Sequence, residues 1–64
     1  MTGDMVKKIR HTLGLTQIEF AEELQRSQVD ISNWETGTRK VPVYMDKLIT
    51  LVFVNTMVYK DLKK

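Results

Sequence analysis

The chemistry open to this chain is narrowed first by its ligands and nucleophiles. Its 64 residues include one histidine, His11, and no cysteine. A single imidazole cannot complete a zinc site, and there is no thiolate to supply the other ligands. No hydroxyl has a paired base, no glycine-rich loop could cradle a phosphate, and so short a chain has no room for a lid, so an enzyme is not expected. Glu19, Glu22 and Glu23 form the densest acidic group, but on a helix they read as a solvated face rather than as an acid-base or metal set. What remains is hydrogen bonding. Projected at about 100° per residue, Val29, Ser32, Asn33 and Thr36 share one stripe, with Gln28 at its edge. The stripe is short-chained, polar and almost uncharged. That makes it a poor solvating surface but a suitable head for reading base edges.

Such residues need helices to hold them, and the chain is punctuated at Gly14, at Gln25-Arg26-Ser27, at Gly37 and at Val41-Pro42. From Asp4 to Leu13, Val6, Ile9 and Leu13 keep a helical spacing; Asp4 or Thr2 can cap the start, and Gly14 suits the left-handed residue that ends a helix. Thr16-Gln17-Ile18-Glu19 is a capping box, flanked at staple spacing by Leu15 and Phe20. Phe20, Ala21 and Leu24 form the apolar face that follows. Ser27-Gln28-Val29-Asp30 repeats the box pattern and opens a third helix over 28–36, with Ile31 and Trp34 inward and Gly37 at its end. After Pro42, the spacing of Met45, Leu48, Ile49, Val52 and Phe53 predicts a fourth helix. The next residues, Val54 to Tyr59, are rich in β-branched and aromatic types. Thr56 could cap a last helix to Leu62, or the segment could pair as a strand, and helix is the favoured expectation.

Two short helices joined by a tight turn, the second with a polar stripe, make a helix-turn-helix, which lays its second helix in the major groove. The run Ile9-Arg10, Leu13-Gly14-Leu15-Thr16-Gln17, Phe20-Ala21, Leu24, Ser27-Gln28, Ile31-Ser32-Asn33-Trp34-Glu35, Gly37, Arg39-Lys40 and Pro42 resembles the helix-turn-helix family of phage repressors and Cro proteins, the XRE-type regulators. The resemblance rests on ordered spacing over most of the chain. It implies an all-α, compact four- to five-helix bundle containing a lambda repressor-like helix-turn-helix, as one domain over 1–64, and a sequence-specific, repressor-like transcriptional regulator of double-stranded DNA. It also implies roles. Gln17 matches the family's phosphate-holding Gln, a role that suits a helix N-terminus. Gln28, Val29 and Asn33 match positions facing base edges, where amides can pair with adenine and Val29 can touch a thymine methyl; Ser32 lies among them. Arg39 and Lys40 match a position near the DNA backbone, with Thr38 beside them as a further phosphate contact. Arg10 and Glu35 match a structural pair tying the first helix to the end of the third. Trp34 is expected in the core, and His11 on the surface within possible reach of a phosphate.

Two departures from the family stand out. Gln25 and Arg26 occupy a turn that often has Gly followed by an apolar residue, and a left-handed non-Gly residue costs roughly 1 kcal/mol, so a slightly altered turn is expected. Arg26 can pack its stem on Ile31 and extend its guanidinium to a phosphate. Asp30 reads as the capping partner of Ser27 rather than as an acceptor from cytosine. Composition sets the frame: 42% apolar, 28% charged and net +2 describe an ordinary globular domain whose charge permits nucleic acid without requiring it. With no apolar run near the roughly 18 residues of a membrane span and no signal-peptide core, a cytoplasmic location is expected, without cofactor, metal or small-molecule substrate. Leu51, Val54, Met57, Val58 and Tyr59 have no obvious partner within the chain. They predict a homodimer formed chiefly by residues from about Leu51 to Leu62, with 54–64 as the dimerisation segment, on a near-palindromic operator; the alternative is that this segment folds back to complete a monomer's core. The alternatives are a DNA-binding antitoxin of a toxin-antitoxin pair, and a protein-interaction module that kept the fold but lost DNA.

Overall fold

The computed structural model describes residues 1–62, and their side chains as far as Val58. Its described residues form four helices and no strand: α1 (Gly3–Leu13), α2 (Gln17–Leu24), α3 (Gln28–Thr36) and α4 (Val43–Leu62). No helix among them is long and apolar enough to cross a membrane.

The short-range signals act as their chemistry requires. Thr2 caps α1 by accepting from the Met5 N–H at 3.2 Å, which starts the helix at Gly3 rather than Asp4. Gly14, at φ 71°, ends it. In α2 both halves of the box form: Glu19 N–H donates to Thr16 Oγ1 at 3.1 Å, and Thr16 N–H donates to Glu19 Oε1 at 2.9 Å. In α3 only half forms. The Ser27 hydroxyl accepts from Asp30 N–H at 3.2 Å, whereas the Asp30 carboxylate does not return the contact.

The turn after α2 corrects an expectation. Gln25 takes the left-handed conformation itself, at φ 55° and ψ 44°, as the only non-glycine residue with positive φ among those described. Arg26 N–H reaches back to the Ala21 carbonyl at 2.8 Å, closing the turn that a glycine usually makes. The chain therefore carries about 1 kcal/mol of strain at Gln25 instead of altering the turn.

The core gathers Val6, Leu13, Phe20, Ala21, Leu24, Ile31, Trp34, Met45 and Ile49, so every helix contributes. Leu48 departs from its expected place: 42% exposed, it belongs neither to the core nor to the partly buried residues packed against it. Gly3 is needed for a reason that helical spacing does not reveal. A Cβ there would lie 1.9 Å from the Trp34 carbonyl oxygen, so α1 starts directly against the backbone at the end of α3.

The C-terminal expectation also changes. Instead of a fourth helix and a fifth, or a strand, α4 runs unbroken for 20 residues, and Thr56 caps nothing. No Gly or Pro interrupts the run from Val43 to Leu62, and β-branched residues lower helix propensity by only a few tenths of a kcal/mol each. Val52 and Phe53 still pack on the core, and the helix continues from that anchor. The side chains of Tyr59 and Leu62, and residues 63–64, lie outside the described residues.

Candidate nucleic-acid interface

The candidate surface is organised around a carboxylate. Glu35, near the end of α3, receives Arg10 Nε on Oε2 at 2.7 Å and Arg10 Nη2 on Oε1 at 3.0 Å. The side chains are 11% and 5% exposed for Arg10 and Glu35. Arg10 Nη1 also donates to the Leu15 carbonyl at 3.0 Å, so one guanidinium ties α1, the α1–α2 turn and α3 together. Burial pushes the Glu35 carboxyl up, but hydrogen bonds from Arg10 and Gln17, with the charges of Arg10 and Lys7, hold it below the usual glutamate range. The hydrogen bond to Glu35 raises the Arg10 guanidinium despite the opposing effect of burial.

The same carboxylate orients two amides. Gln17 Nε2, in the first turn of α2, donates to Glu35 Oε1 at 3.2 Å. Its Oε1 then faces the first turn of α3 and accepts from Gln28 Nε2 at 3.0 Å. This chain fixes which atom of each amide is which. Gln28 keeps its Oε1 and one N–H for a ligand, an acceptor beside a donor. The Arg10–Glu35 pair is the one that the resemblance implies, whereas Gln17 and Gln28 are expected in separate roles; the fold joins all four in one network.

The remaining stripe residues divide. Gln28, Val29 and Thr36 are exposed, Val29 at 64%, whereas Ser32 and Asn33 are half-buried. The Asn33 carbonyl accepts from Arg39 N–H at 3.1 Å and from the Thr36 hydroxyl at 3.3 Å. The hydroxyls of Thr36 and Thr38 meet at 2.9 Å. The end of α3 thus anchors the Thr38-Arg39-Lys40 loop, whose two basic side chains are exposed. Trp34 is buried at 4%, in the core as its spacing predicts.

Arg26 does reach outward, but it lands on a residue that sequence reasoning passed over. Its Nη2 donates to the Tyr44 hydroxyl at 2.6 Å, and its guanidinium carbon lies 5.4 Å from the centre of the Tyr44 ring. The only hint in the sequence is that Tyr44 falls off the apolar stripe of α4 immediately after Pro42. His11 is exposed, 3.2 Å from Arg10 Nη2. Comparison of the chain with protein-family models, with curated proteins and with solved structures finds no match.

Proposed function

We propose that this chain is a sequence-specific, double-stranded DNA-binding transcriptional regulator of the repressor-like kind, with α2, the 25–27 turn and α3 acting as a helix-turn-helix. The observation that carries the reading is the Gln28–Gln17–Glu35 hydrogen-bond chain. It holds two amides at the adjoining starts of α2 and α3, beside a nearly uncharged stripe that is exposed at Val29 and Thr36 and half-buried at Ser32 and Asn33. An acceptor next to a donor is the complement of the adenine edge in the major groove, where N6–H donates and N7 accepts. In this arrangement Gln28 and Val29 approach bases first, Ser32 and Asn33 follow from their half-buried positions, and Gln17, Arg26, Thr38, Arg39 and Lys40 contact phosphates.

The exposed α4 residues Leu51, Val54, Met57 and Val58 favour a homodimer on a near-palindromic operator, since paired helix-turn-helix units read half-sites about 34 Å apart. Selection of bound duplexes from a random library tests the whole reading. The expected result is an enriched half-site containing adenine, repeated with two-fold symmetry, and bound less tightly as salt rises. A pool that stays random, with no salt-dependent affinity, overturns it in favour of a protein-interaction module.

A further inference from the structure

The Arg26–Tyr44 pair joins residues 18 positions apart, at the α2–α3 turn and the first turn of α4. Both are exposed, Tyr44 at 55%. The root of Arg26 is fixed by its backbone bond to Ala21, and its tip by the hydrogen bond to the Tyr44 hydroxyl, with the guanidinium carbon 5.4 Å from the ring centre. Neither ion pair among the described residues involves Arg26, so its charge is held in place without being neutralised.

The donor inventory shows what such a pair is suited to hold. A guanidinium carries five N–H donors in a planar fork, and a single one is directed at Tyr44. The phenol oxygen accepts that bond, which leaves its own O–H to donate elsewhere. Remaining fork hydrogens and the phenol hydrogen therefore project from adjacent atoms, and together they match an anionic oxygen pair such as a phosphodiester. Only Ser27 separates Arg26 from Gln28 along the chain, so the guanidinium is carried by the turn that opens the helix bearing the residue that would read the first base. We propose that Arg26 and Tyr44 form a two-residue clamp for one DNA backbone phosphate, flanking the base read by Gln28, with Tyr44 both donating to the phosphate and aiming the guanidinium. This clamp rests on the DNA-binding reading and adds to it a contact from α4.

Salt titrations of the folded parent, Tyr44→Phe, Arg26→Ala and the double variant on the selected duplex test it, together with phosphate-ethylation interference and melting curves. Tyr44→Phe keeps the ring and the charge, so it should weaken binding about tenfold with the parent salt slope. Arg26→Ala should make the slope shallower by about one. In that background Tyr44→Phe should have little further effect, and one ethylated phosphate that blocks the parent should cease to matter. A parent that binds DNA with salt dependence while Arg26→Ala keeps the parent slope and ethylation pattern overturns the clamp alone. Additive losses from the two substitutions also overturn it, and a parent without salt-dependent DNA affinity overturns the clamp together with the DNA reading.

Discussion

At the scale of single residues, two kinds of contact should separate by substitution. If the proposed DNA-binding function holds, Gln28→Ala removes an oriented donor and acceptor from the position proposed to read bases, so it should weaken the preferred duplex by about 1–3 kcal/mol and leave random-sequence binding nearly intact. Lys40→Ala should weaken both duplexes alike. Competition measurements on the two DNAs give the comparison, and equal losses for Gln28→Ala would reassign it to positioning. The Glu35 carboxyl makes a second prediction, about pH. Its folded value lies below the usual range, so the unfolded chain takes up the proton more readily than the folded one does. The resulting stability is complete above about pH 4.3 and is lost as the pH falls through the folded value. Glu35→Gln should therefore melt lower than the parent at neutral pH and show a flatter decline on acidification. Parallel pH profiles in the two proteins would detach Glu35 from acid stability.

At the scale of elements, the turns and close approaches decide where strain sits. Gln25→Gly relieves a left-handed side chain but increases the freedom of the unfolded chain, and the two effects leave a net gain of up to about 1 kcal/mol. A rise in melting temperature is the expected readout. A fall would mean that the Gln25 side chain contributes contacts outweighing its strain. Gly3→Ala acts in the opposite direction, because its Cβ would enter the Trp34 carbonyl. Either α1 shifts away from α3 or its first turn unwinds, and a loss of about 2 kcal/mol or more is expected, within the range of core overpacking. Denaturant titration measures it, and an unchanged midpoint would show that α1 accommodates the methyl group by a small shift.

At the scale of the whole molecule, α4 carries the outstanding surface. It is 20 residues long in a body measuring 39 × 20 × 19 Å, and Leu48, Leu51, Val54, Met57 and Val58 are between 40% and 55% exposed. A monomer leaves that apolar face in water, whereas two copies packed along α4 would cover it. Sedimentation equilibrium should therefore find a dimer for the parent and a folded monomer for Leu51→Glu with Val54→Glu. A parent that remains monomeric at high micromolar concentration without DNA removes the preformed dimer.

What could be read from the sequence follows the range of the forces involved. The caps at Thr2, Thr16 and Ser27, the stops at Gly14 and Gly37, and the inward faces through Phe20, Ile31 and Trp34 depend on contacts three or four residues apart, and they formed as their spacing implied. Segment 54–62 was ambiguous because its β-branched residues weaken local preference without imposing a break, and the structure continues it from the Val52 and Phe53 anchor as helix. Contacts between distant positions had no local signal. The approach of Gly3 to Trp34, the seating of Arg26 on Tyr44 and the orientation of Gln17 by Glu35 each join helices or turns brought together by the common core. The sequence by itself determined where helices begin, end and turn inward. Beyond the Arg10–Glu35 pair that the resemblance implied, the tertiary structure decided which polar atoms of neighbouring elements meet, because that depends on how the apolar faces pack rather than on spacing along the chain.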